Sequence, residues 1–383
     1  MIQLSGKISS VCDLTFEGNK ILRVSTNPLR PKSLRKKEVF LSQDGVIPEG
    51  FIAVLAFDDC KEIYNNEDIL FLGEDYKYLE DGDVIKIASQ SKKFRVLYRI
   101  NQRYNSFLIT ERCNHYCLMC SQPPRKIEDG VLYDETIEVL KLCDRGAGEI
   151  CFSGGEPTTE PDNFIKLLNT AKSYLPETSI HVLSNGRSSA NKEFAVAIAD
   201  INHADLMMGI PLYSSDAYIH DHVVQASGAF NETIKGIVNL NRNNIPVEIR
   251  VVLHALTIPT LEMLAHFISR SLPFVSQVAF MGLEITGFTR ANLDQLWIDP
   301  EEYQDELLKA VQIIENVGIK AKIYNLPLCI TNPELWENTV QSISDWKNEY
   351  ISECQNCDVR TECGGFFSSA VHKMPKNIKA IKA

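Results

Sequence analysis

Apolar residues run through the chain in short stretches of strand length, and the segments between these stretches change character near residue 104. Before that point the stretches are separated by turn residues, and no long amphipathic helix is visible. They cover residues 21–25, 51–56, 69–73, 84–87 and 94–100. The pattern predicts a small β-rich domain over residues 1–102, in which no side chain carries recognisable chemistry.

From residue 104 onward, apolar stretches alternate with helix-like stretches. The predicted strands cover residues 106–109, 149–152, 180–183, 206–213, 247–254 and 278–283. The predicted helices include residues 134–143, 162–174, 231–241 and 261–271. Such alternation is typical of βα units on a parallel sheet, and it predicts a core domain over residues 103–300. The pattern leaves open a partial barrel and a doubly wound sheet; in both, the site lies at the carboxyl ends of the strands.

The alternation ends after residue 300. Residues 302–316 have a helical pattern and residues 320–324 that of a short strand, and cysteines follow at positions 329, 354, 357 and 363. We therefore expect a separate metal-bearing C-terminal module over residues 301–383.

Length and charge narrow the class of protein. A chain of 383 residues is long enough for two or three domains. Its 39 Lys and Arg against 50 Asp and Glu give a net charge of −11, which argues against a general nucleic-acid or anionic-membrane binder. Two basic stretches, residues 30–37 and 373–382, are interpreted as solvated surface. No signal sequence or membrane span is visible, so we expect a cytoplasmic protein.

Eleven cysteines in a cytoplasmic chain favour metal or redox chemistry over disulfides. Three of them, Cys113, Cys117 and Cys120, lie close together after the first predicted core strand. Three thiolates on one short loop can hold a single iron-sulfur cluster. Because a closed [4Fe-4S] cluster takes four thiolates, one iron would stay open to a small molecule. The alternatives are a zinc site that uses His115 or a remote ligand, and three buried thiols; we interpret His115 as a loop residue.

A second motif follows the second predicted core strand. It consists of Gly154, Gly155, Glu156 and Pro157. The two glycines allow the backbone to approach a ligand, and the carboxylate can accept hydrogen bonds from an ammonium group. Alone this motif is a weak signal, because Gly and Pro are common in turns. Its position after the three-cysteine loop makes it informative.

Together, the cysteine loop and the Gly-Gly-Glu-Pro turn resemble the radical S-adenosylmethionine (SAM) superfamily. The resemblance implies a partial (β/α)6 barrel and a [4Fe-4S] cluster whose open iron binds the amino and carboxylate groups of SAM. One electron from an external donor would then cleave SAM to methionine and a 5′-deoxyadenosyl radical, which abstracts a substrate hydrogen. In one departure, Met119 occupies the position before the third cysteine, where an aromatic residue is usual. Methionine can pack beside a cluster as adaptably as a ring.

The same resemblance implies further contacts with SAM. Ser184 and Asn185, after the third core strand, would contact the ribose of SAM, and a plain Asn-Gly turn is the alternative for them. Ser214, after the fourth core strand, would also contact the ribose. Arg250, on the fifth strand, would bind the SAM carboxylate, or else form a structural ion pair. The backbone of residues 281–283 would face the adenine, although a plain core strand explains these residues equally well.

The C-terminal cysteines form a second group. Four thiolates can saturate an iron-sulfur cluster, and this group resembles the auxiliary-cluster modules, called twitch or SPASM, of radical SAM peptide maturases. A four-cysteine zinc site is the alternative. The predicted ligands of this second [4Fe-4S] cluster are Cys329, Cys354, Cys357 and Cys363. The cysteines interpreted as small core or surface residues are Cys12, Cys60, Cys143 and Cys151.

A closer resemblance covers most of residues 100–380. Residues 280–284, 297–300, 323–329, 342–347 and 363–367 are similar to the HxsC family of His-Xaa-Ser system radical SAM maturases. The resemblance implies a ribosomally made substrate, an HxsA-like precursor peptide with His-Xaa-Ser repeats. It also implies two partners, an HxsB-like second radical SAM protein and an HxsD-like small protein.

The leading interpretation is a radical SAM enzyme that abstracts hydrogen from a precursor peptide, with the N-terminal β domain helping to hold substrate or partner. Three alternatives stay open. They are a small-molecule enzyme similar to the molybdopterin-precursor cyclase, a sulfatase-type maturase, and an iron-sulfur partner subunit that abstracts no hydrogen itself. The residues identify neither the bond made after abstraction nor a general acid or base.

Overall fold

The computed structural model describes residues 3–10, 16–64, 69–341 and 349–382. The chain forms two compact units, one of residues 1–107, 131–150 and 166–179, the other of residues 108–130, 151–165 and 180–383. Cys12 and the stretch 342–347, both singled out from the sequence, lie outside the described residues. The predicted domain boundaries at residues 102 and 300 stay predictions.

The first unit contains an eight-stranded mixed sheet. Its strands are β1 (Ser5–Lys7), β2 (Ser9–Ser10), β3 (Asn19–Ser25), β4 (Glu38–Leu41), β5 (Ala53–Phe57), β6 (Ile69–Leu72), β7 (Val84–Ala88) and β8 (Lys93–Tyr98). Their spatial order is β1-β8-β7-β3-β4-β5-β6-β2, with β3 to β6 mutually parallel and the other neighbours antiparallel. Apolar side chains from most of these strands, among them Leu22, Leu55 and Ile85, pack into one core.

All five strands predicted in this region are present. The sequence pattern missed β1, β2 and β4, which have only two to four residues each and so show too little alternation to detect. β4 also follows directly on the basic stretch 30–37, which was interpreted as solvated surface.

That interpretation is wrong for Arg35, which is 9% exposed. Its guanidinium donates hydrogen bonds to the carbonyl oxygens of Pro28, Arg30 and Glu49 and lies 5.0 Å from the ring centre of Phe51. A buried guanidinium is tolerated here because its donors are satisfied by backbone oxygens.

A second eight-stranded sheet carries the predicted core. Its strands are β9 (Tyr104–Thr110), β10 (Glu149–Gly154), β11 (Ser179–Leu183), β12 (Leu206–Pro211), β13 (Val247–Leu253), β14 (Gln277–Gly282), β15 (Lys320–Tyr324) and β16 (Thr339–Val340). The six predicted core strands are all present. β15 was predicted as a strand of the C-terminal module, whereas it pairs in parallel with β14; β16 was not predicted.

Strand order decides between the two architectures that the pattern left open. The order in space is β16-β15-β14-β13-β12-β11-β10-β9, the order of the chain, and β11 to β16 run parallel. A doubly wound sheet reverses its strand order at a switch point, whereas a barrel does not. The second sheet is therefore a partial barrel that ends open at β9 and β16.

Helices follow most strands of the second sheet. The α-helices in the described part of the chain are α1 (Lys32–Arg35), α2 (Val131–Leu140), α3 (Pro161–Tyr174), α4 (Lys192–Asp200), α5 (Ala217–Val224), α6 (Ala229–Arg242), α7 (Leu261–Ser271), α8 (Phe288–Ala291), α9 (Leu293–Leu296) and α10 (Gln304–Glu315). The predicted helices correspond to α2, α3, α6, α7 and α10. Within the described residues, no helix combines the length and apolarity that crossing a bilayer requires.

The predicted site residues lie just beyond the carboxyl ends of the strands or on them. The cysteine loop follows β9, the Gly-Gly-Glu-Pro turn overlaps the end of β10, and Ser184 and Asn185 follow β11. β9 and β10 run in the same direction, because the Glu149 N–H donates to the Arg103 carbonyl oxygen and the Gly155 N–H donates to that of Thr110. The hydrogen bonds described below bring these segments together with the end of β11.

Candidate functional site

The cysteine loop, residues 113–120, is held at both sides by hydrogen bonds from distant parts of the chain. The N–H groups of Tyr116 and Leu118 donate to the carbonyl oxygens of Val224 and Val223, at the end of α5, at 3.1 and 3.0 Å. On the other side, Thr289 Oγ1 donates to the Met119 carbonyl oxygen at 3.0 Å.

Two more hydrogen bonds hold the end of the loop. Asn292 Nδ2 donates to the Leu118 carbonyl oxygen at 2.9 Å, and the Phe288 N–H to that of Cys120 at 2.8 Å. The loop backbone is therefore fixed by elements that the sequence pattern did not connect to it. No local motif marks Thr289, which lies 170 residues further along the chain than Met119.

Apolar packing supports the same loop. Met119 is 7% exposed and belongs to a buried cluster with Tyr213, Val223, Val224 and other residues. Cys117 and Leu118 pack against this cluster. The methionine at the family's usual aromatic position thus fills an apolar space beneath the loop, as its adaptable side chain allows.

The three thiols lie in a low-polarity site that disfavours their thiolates. Burial, and after it the negative charge of Glu156, raises the pKa of Cys113 to about 12. Burial raises the pKa of Cys117 still further, and repulsion from Cys120 and Cys113 adds to the shift. Burial also raises the pKa of Cys120. Several thiolates can be stable together here only beside a compensating positive charge, and iron would supply it.

The two glycines of the turn have a packing role. A Cβ atom on Gly154 would lie 2.3 Å from the Thr110 carbonyl oxygen, and one on Gly155 would lie 2.1 Å from that of Arg112. The space that a side chain would need is thus taken by the backbone that leads from β9 into the cysteine loop. Close approach of two strand ends requires glycine here. The predicted approach of the same glycines to SAM stays a prediction.

Glu156 is fully buried and collects four hydrogen bonds. Its Oε1 accepts from the Thr158 N–H at 2.9 Å, from Thr158 Oγ1 at 2.6 Å and from Ser184 Oγ at 2.8 Å. Its Oε2 accepts from the Asn185 N–H at 2.6 Å. Burial raises the pKa of Glu156, although the hydrogen bonds from Thr158, Asn185 and Ser184 oppose that shift. The carboxylate therefore joins the end of β10 to the end of β11.

Asn185 continues this network to the cysteine loop. Its Nδ2 donates to Asn114 Oδ1 at 2.6 Å, and Arg187 Nη1 donates to the Asn114 carbonyl oxygen at 3.1 Å. Thr233 Oγ1 donates to the Asn185 carbonyl oxygen at 3.1 Å. The structure thus brings together Cys113 to Cys120, Glu156, Ser184 and Asn185. The sequence pattern missed Asn114, Arg187 and Thr233, which are ordinary polar residues outside any motif.

Arg250 and Ser214 have partners within the protein. Arg250 forms an ion pair with the buried Glu248, and its Nη2 lies 3.1 Å from Met281 Sδ. This is the structural ion pair that the sequence left as an alternative. Ser214 is buried, accepts from the Asp216 N–H at 3.1 Å and lies 3.3 Å from Thr260 Oγ1. Their proposed contacts with SAM stay predictions.

Tyr213 is a site residue that no motif indicated. It is buried, packs in the cluster with Met119, and stacks on His220 with 5.8 Å between ring centres. Burial raises its pKa well above the usual value, and the charges of Cys117 and Cys120 contribute to the shift. Tyr213 therefore lies within electrostatic range of the cysteine loop. It lies two residues after the end of β12, which is the positional signal that could have identified it.

The second cysteine group also comes together in space. One small cavity is lined by all four predicted ligands, namely Cys329, Cys354, Cys357 and Cys363. Residues 354 and 357 lie at the short 3-10 helix Ser352–Asn356, and Cys363 is buried. Burial raises the pKa values of Cys329 and Cys354, and neighbouring cysteine charges add to both shifts.

Backbone N–H groups point at the sulfur atoms of this group. Cys363 Sγ accepts from the N–H groups of Leu328 and Gly365, both at 3.4 Å. Cys357 Sγ accepts from the Ile381 N–H at 3.4 Å. Such N–H donors to sulfur are among the features that tune iron-sulfur clusters. Residue 381 lies in the second basic stretch, so that stretch is in part a cover over the cysteines.

Within the described residues, no three Cys, His, Asp or Glu side chains are arranged to hold one metal ion. The zinc alternatives considered from the sequence stay open. A cluster offers a different iron to each thiolate, so its ligands stand further apart than those of a single ion. Most of these cysteines are half-buried, and burial and, after it, the charges of neighbouring cysteines raise the thiol pKa values of Cys117, Cys329 and Cys354, which is consistent with clusters.

Comparison with known families identifies one domain. Residues 107–268, less than half of the chain, match the family model described as the Radical SAM superfamily. This segment runs from β9 through most of α7 and contains the cysteine loop, Glu156, Ser184, Asn185 and Arg250. A comparison with curated proteins gives no match.

Several solved structures are similar to the chain at low identity. SuiB from Streptococcus suis, bound to S-adenosylmethionine, is 14% identical with a TM-score of 0.47, covering 66% of this chain and 55% of SuiB. Native anSMEcpe with bound AdoMet is 15% identical with a TM-score of 0.45, and the match covers 57% of this chain and 62% of anSMEcpe. Methylornithine synthase, PylB, is 13% identical with a TM-score of 0.43, and the match covers 58% of this chain and 64% of PylB. This chain thus aligns with a little over half the length of SuiB.

Proposed function

Because residues 107–268 belong to the Radical SAM superfamily, a superfamily of enzymes, we propose that this chain cleaves SAM reductively and modifies a ribosomally made peptide. The observation that carries the proposal is the meeting of Cys113, Cys117 and Cys120 with the Glu156 network at one edge of a parallel sheet. The radical SAM fold implies a [4Fe-4S] cluster and SAM, and the half-buried thiols of this loop fit such a cluster.

The cofactor pair supplies a strong oxidant for C–H bonds when bound, because one-electron cleavage of SAM yields a 5′-deoxyadenosyl radical. The protein's own part is to bind and to orient. Cys113, Cys117 and Cys120 would hold three irons, on a loop that α5 and α8 keep in place. The burial of Tyr213 and Met119 would keep water from one side of the site.

Glu156 would position the SAM-binding loops rather than serve as an exposed ligand. Its Oε1 accepts three hydrogen bonds from Thr158 and Ser184, and its Oε2 accepts one from the Asn185 N–H. The carboxylate therefore fixes the end of β11, where Ser184 and Asn185 are expected to face the ribose. A positioning role of this kind costs nothing at the moment of reaction, because the hydrogen bonds exist beforehand.

We assign the second cysteine group to an auxiliary [4Fe-4S] cluster with four protein ligands. The cavity shared by Cys329, Cys354, Cys357 and Cys363 supports this assignment, as do the N–H donors to Cys357 and Cys363. Four thiolates leave no iron open, so the group would serve electron transfer or stability.

The substrate and partner assignments rest on the sequence resemblance to the HxsC family. We propose an HxsA-like precursor with His-Xaa-Ser repeats as substrate, and HxsB-like and HxsD-like proteins as partners. The N-terminal β sheet would hold substrate or partner, and an external donor would supply the electron. The free thiols of both cysteine groups suit a reducing compartment such as the cytoplasm.

The test is reductive SAM cleavage by the purified chain. After anaerobic reconstitution with iron, sulfide, reductant and SAM, we expect 5′-deoxyadenosine from this chain alone, measured by liquid chromatography with mass spectrometry. Cys117→Ala should abolish the product, while Cys60→Ala, a half-buried cysteine outside both groups, should leave it unchanged. Product formed only when an HxsB-like partner is present would instead indicate a subunit that abstracts no hydrogen itself.

The peptide is tested by coexpression. Mass spectrometry of an HxsA-like precursor made together with this chain should show a mass change that the Cys117→Ala variant does not produce. If the purified chain cleaves SAM but the coexpressed precursor stays unmodified, the proposed substrate is contradicted and the proposed enzyme class is not.

A further inference from the structure

A pocket opens at the carboxyl ends of β13, β14 and β15, on the edge of the sheet where the cysteine loop also lies. The empty space in and around it, open solvent included, is about 540 Å³. Leu253, Gly282 and Asn325, at or next to the three strand ends, form its floor. The short 3-10 helix Ser368–His372 and the residues next to it form the opposite wall.

The walls of this pocket are apolar and aromatic. Leu283, Trp297, Ile298, Phe366 and Phe367 line it. Pockets with such walls and a few placed polar groups are where proteins bind small ligands or single side chains. A large apolar side chain would therefore gain free energy by leaving water for this space.

The described residues that line the pocket include one cationic side chain and no anionic one. The Lys373 ammonium lies at its edge, 5.8 Å above the centre of the Trp297 ring. None of the described lining residues is Asp or Glu. In a chain with a net charge of −11, a lysine beside an apolar pocket without acidic neighbours favours a carboxylate next to the apolar group.

The pocket also adjoins the support of the cysteine loop. Leu283 lines the pocket and packs against the apolar cluster that contains Met119. Gly282 and Leu283 belong to residues 281–283, whose backbone is expected to face the adenine of SAM. A group held in this pocket would therefore lie next to the site proposed for SAM, at the edge of the sheet where substrates bind in folds of this architecture.

We propose that this pocket binds a large apolar side chain, aromatic or aliphatic, that has a carboxylate beside it, and so anchors the peptide substrate. The carboxylate is either the side chain of a following acidic residue or the C-terminus of the peptide. This proposal rests on the proposed function, because it assigns a substrate class to the same edge of the sheet. Lys373 binds the carboxylate, and Trp297 and Phe367 bind the side chain.

Three probes test the proposal on the anaerobic, cluster-loaded protein by titration calorimetry. They are acetyl-Gly-Phe with a free carboxylate, acetyl-Gly-Phe-amide without one, and acetyl-Gly-Phe-Glu-amide with a side-chain carboxylate. We expect at least one of the two acidic probes to bind about two- to fivefold more tightly than the amide, as for a partly exposed ion pair. The tighter of the two identifies the source of the carboxylate.

Matched variants locate the binding. Lys373→Met keeps the apolar stem and should remove the preference for carboxylate, whereas Lys376→Met, an exposed lysine outside the lining, should not. Ala370→Leu fills the pocket and should abolish binding, whereas Val371→Leu, at a 75% exposed position on the same short helix, should not.

Two results would overturn the proposal. If the acidic probes and the amide bind equally to the unchanged protein, Lys373 has no such role. If no probe binds, or if Ala370→Leu binds as well as Val371→Leu, the pocket is not the site. SAM cleavage without peptide is measured on the same samples to test the proposed function separately. If the protein cleaves SAM but binds no probe, only the proposed role of the pocket is contradicted.

Discussion

Glu156 shows how one residue can organise a site. Its two oxygen atoms accept the N–H groups of Thr158 and Asn185 separately, and the hydroxyl groups of Thr158 and Ser184 as well. The side chain is fully buried, so none of these partners can turn to water instead. The loops after β10 and β11 therefore depend on a single carboxylate.

Replacing Glu156 with glutamine should break this network while keeping its shape. A glutamine has one carbonyl oxygen, so only one of the two backbone N–H groups keeps its acceptor and the other is left buried without one. We expect a loss of about 1–3 kcal/mol in the free energy of unfolding, measured by urea titration of the cluster-free chain. SAM affinity should fall as well.

The control for this variant is Glu177→Gln, the same change at an exposed glutamate. It should change the free energy of unfolding by less than about 0.5 kcal/mol. Equal stability of the two variants would mean that the four hydrogen bonds do not support the fold.

At the scale of elements, the cysteine loop is shaped by α5 on one side and by the start of α8 on the other. Gly287, immediately before α8, has φ of +53°, and a Cβ atom there would lie 2.3 Å from the Cys120 carbonyl oxygen. This oxygen accepts the Phe288 N–H at 2.8 Å. Only glycine permits both the backbone conformation and the close approach.

Gly287→Ala should therefore displace the loop. Gly228→Ala is the matched control, because Gly228 also has positive φ, +78°, but its Cβ atom would meet nothing within 4 Å. Gly228→Ala should lower the free energy of unfolding by about 1–2 kcal/mol through backbone strain alone. Gly287→Ala should lower the stability further, as measured by thermal unfolding, and it should also reduce the amount of iron held by the cysteine loop. Equal losses of stability and iron in the two variants would contradict the role of this contact.

At the scale of the whole chain, the structure contains two separate cysteine groups, one at the start of the radical SAM domain and one near the C-terminus. If each holds a [4Fe-4S] cluster, the reconstituted protein contains about eight irons. Cys117→Ala and Cys357→Ala should each leave about four, by elemental analysis. Because only the first group is expected to bind SAM, only Cys117→Ala should lose SAM cleavage completely.

The control is again Cys60→Ala, which should keep the full iron content. A content of about four irons and one zinc in the unchanged protein would mean that the C-terminal group is a zinc site. Equal residual cleavage in Cys117→Ala and Cys357→Ala would contradict the division of roles between the two groups.

The sequence predicted much of the second sheet and its chemistry. The length of the apolar stretches and their alternation with helix-like segments revealed all six core strands. A buried strand is apolar along its length whichever strands it pairs with. The cysteine loop, residues 113–120, and the turn of residues 154–157 carried the resemblance to the radical SAM superfamily, and residues 107–268 match the family model of that superfamily. These features are local, and local features are readable from consecutive residues.

Other features could not be read in this way. The strand Lys320–Tyr324 was recognised as a strand, but its place beside β14 was not. Arg35 has the composition of a surface residue and becomes buried because three carbonyl oxygens converge on it. Thr289 holds the cysteine loop from far along the chain. Each of these depends on which distant segments meet.

By itself, then, the sequence determined the strands of the second sheet, the resemblance of residues 107–268 to the radical SAM superfamily, and the positions of the thiols. Each of these depends on residue types at short spacing. Tertiary structure alone decided that the strands keep chain order, that Glu156 is enclosed by four hydrogen bonds, and that an apolar pocket with Lys373 opens at the strand ends. The physical reason is that strand order, burial and pocket shape arise from contacts between segments, and the free energy of such contacts depends on the whole fold.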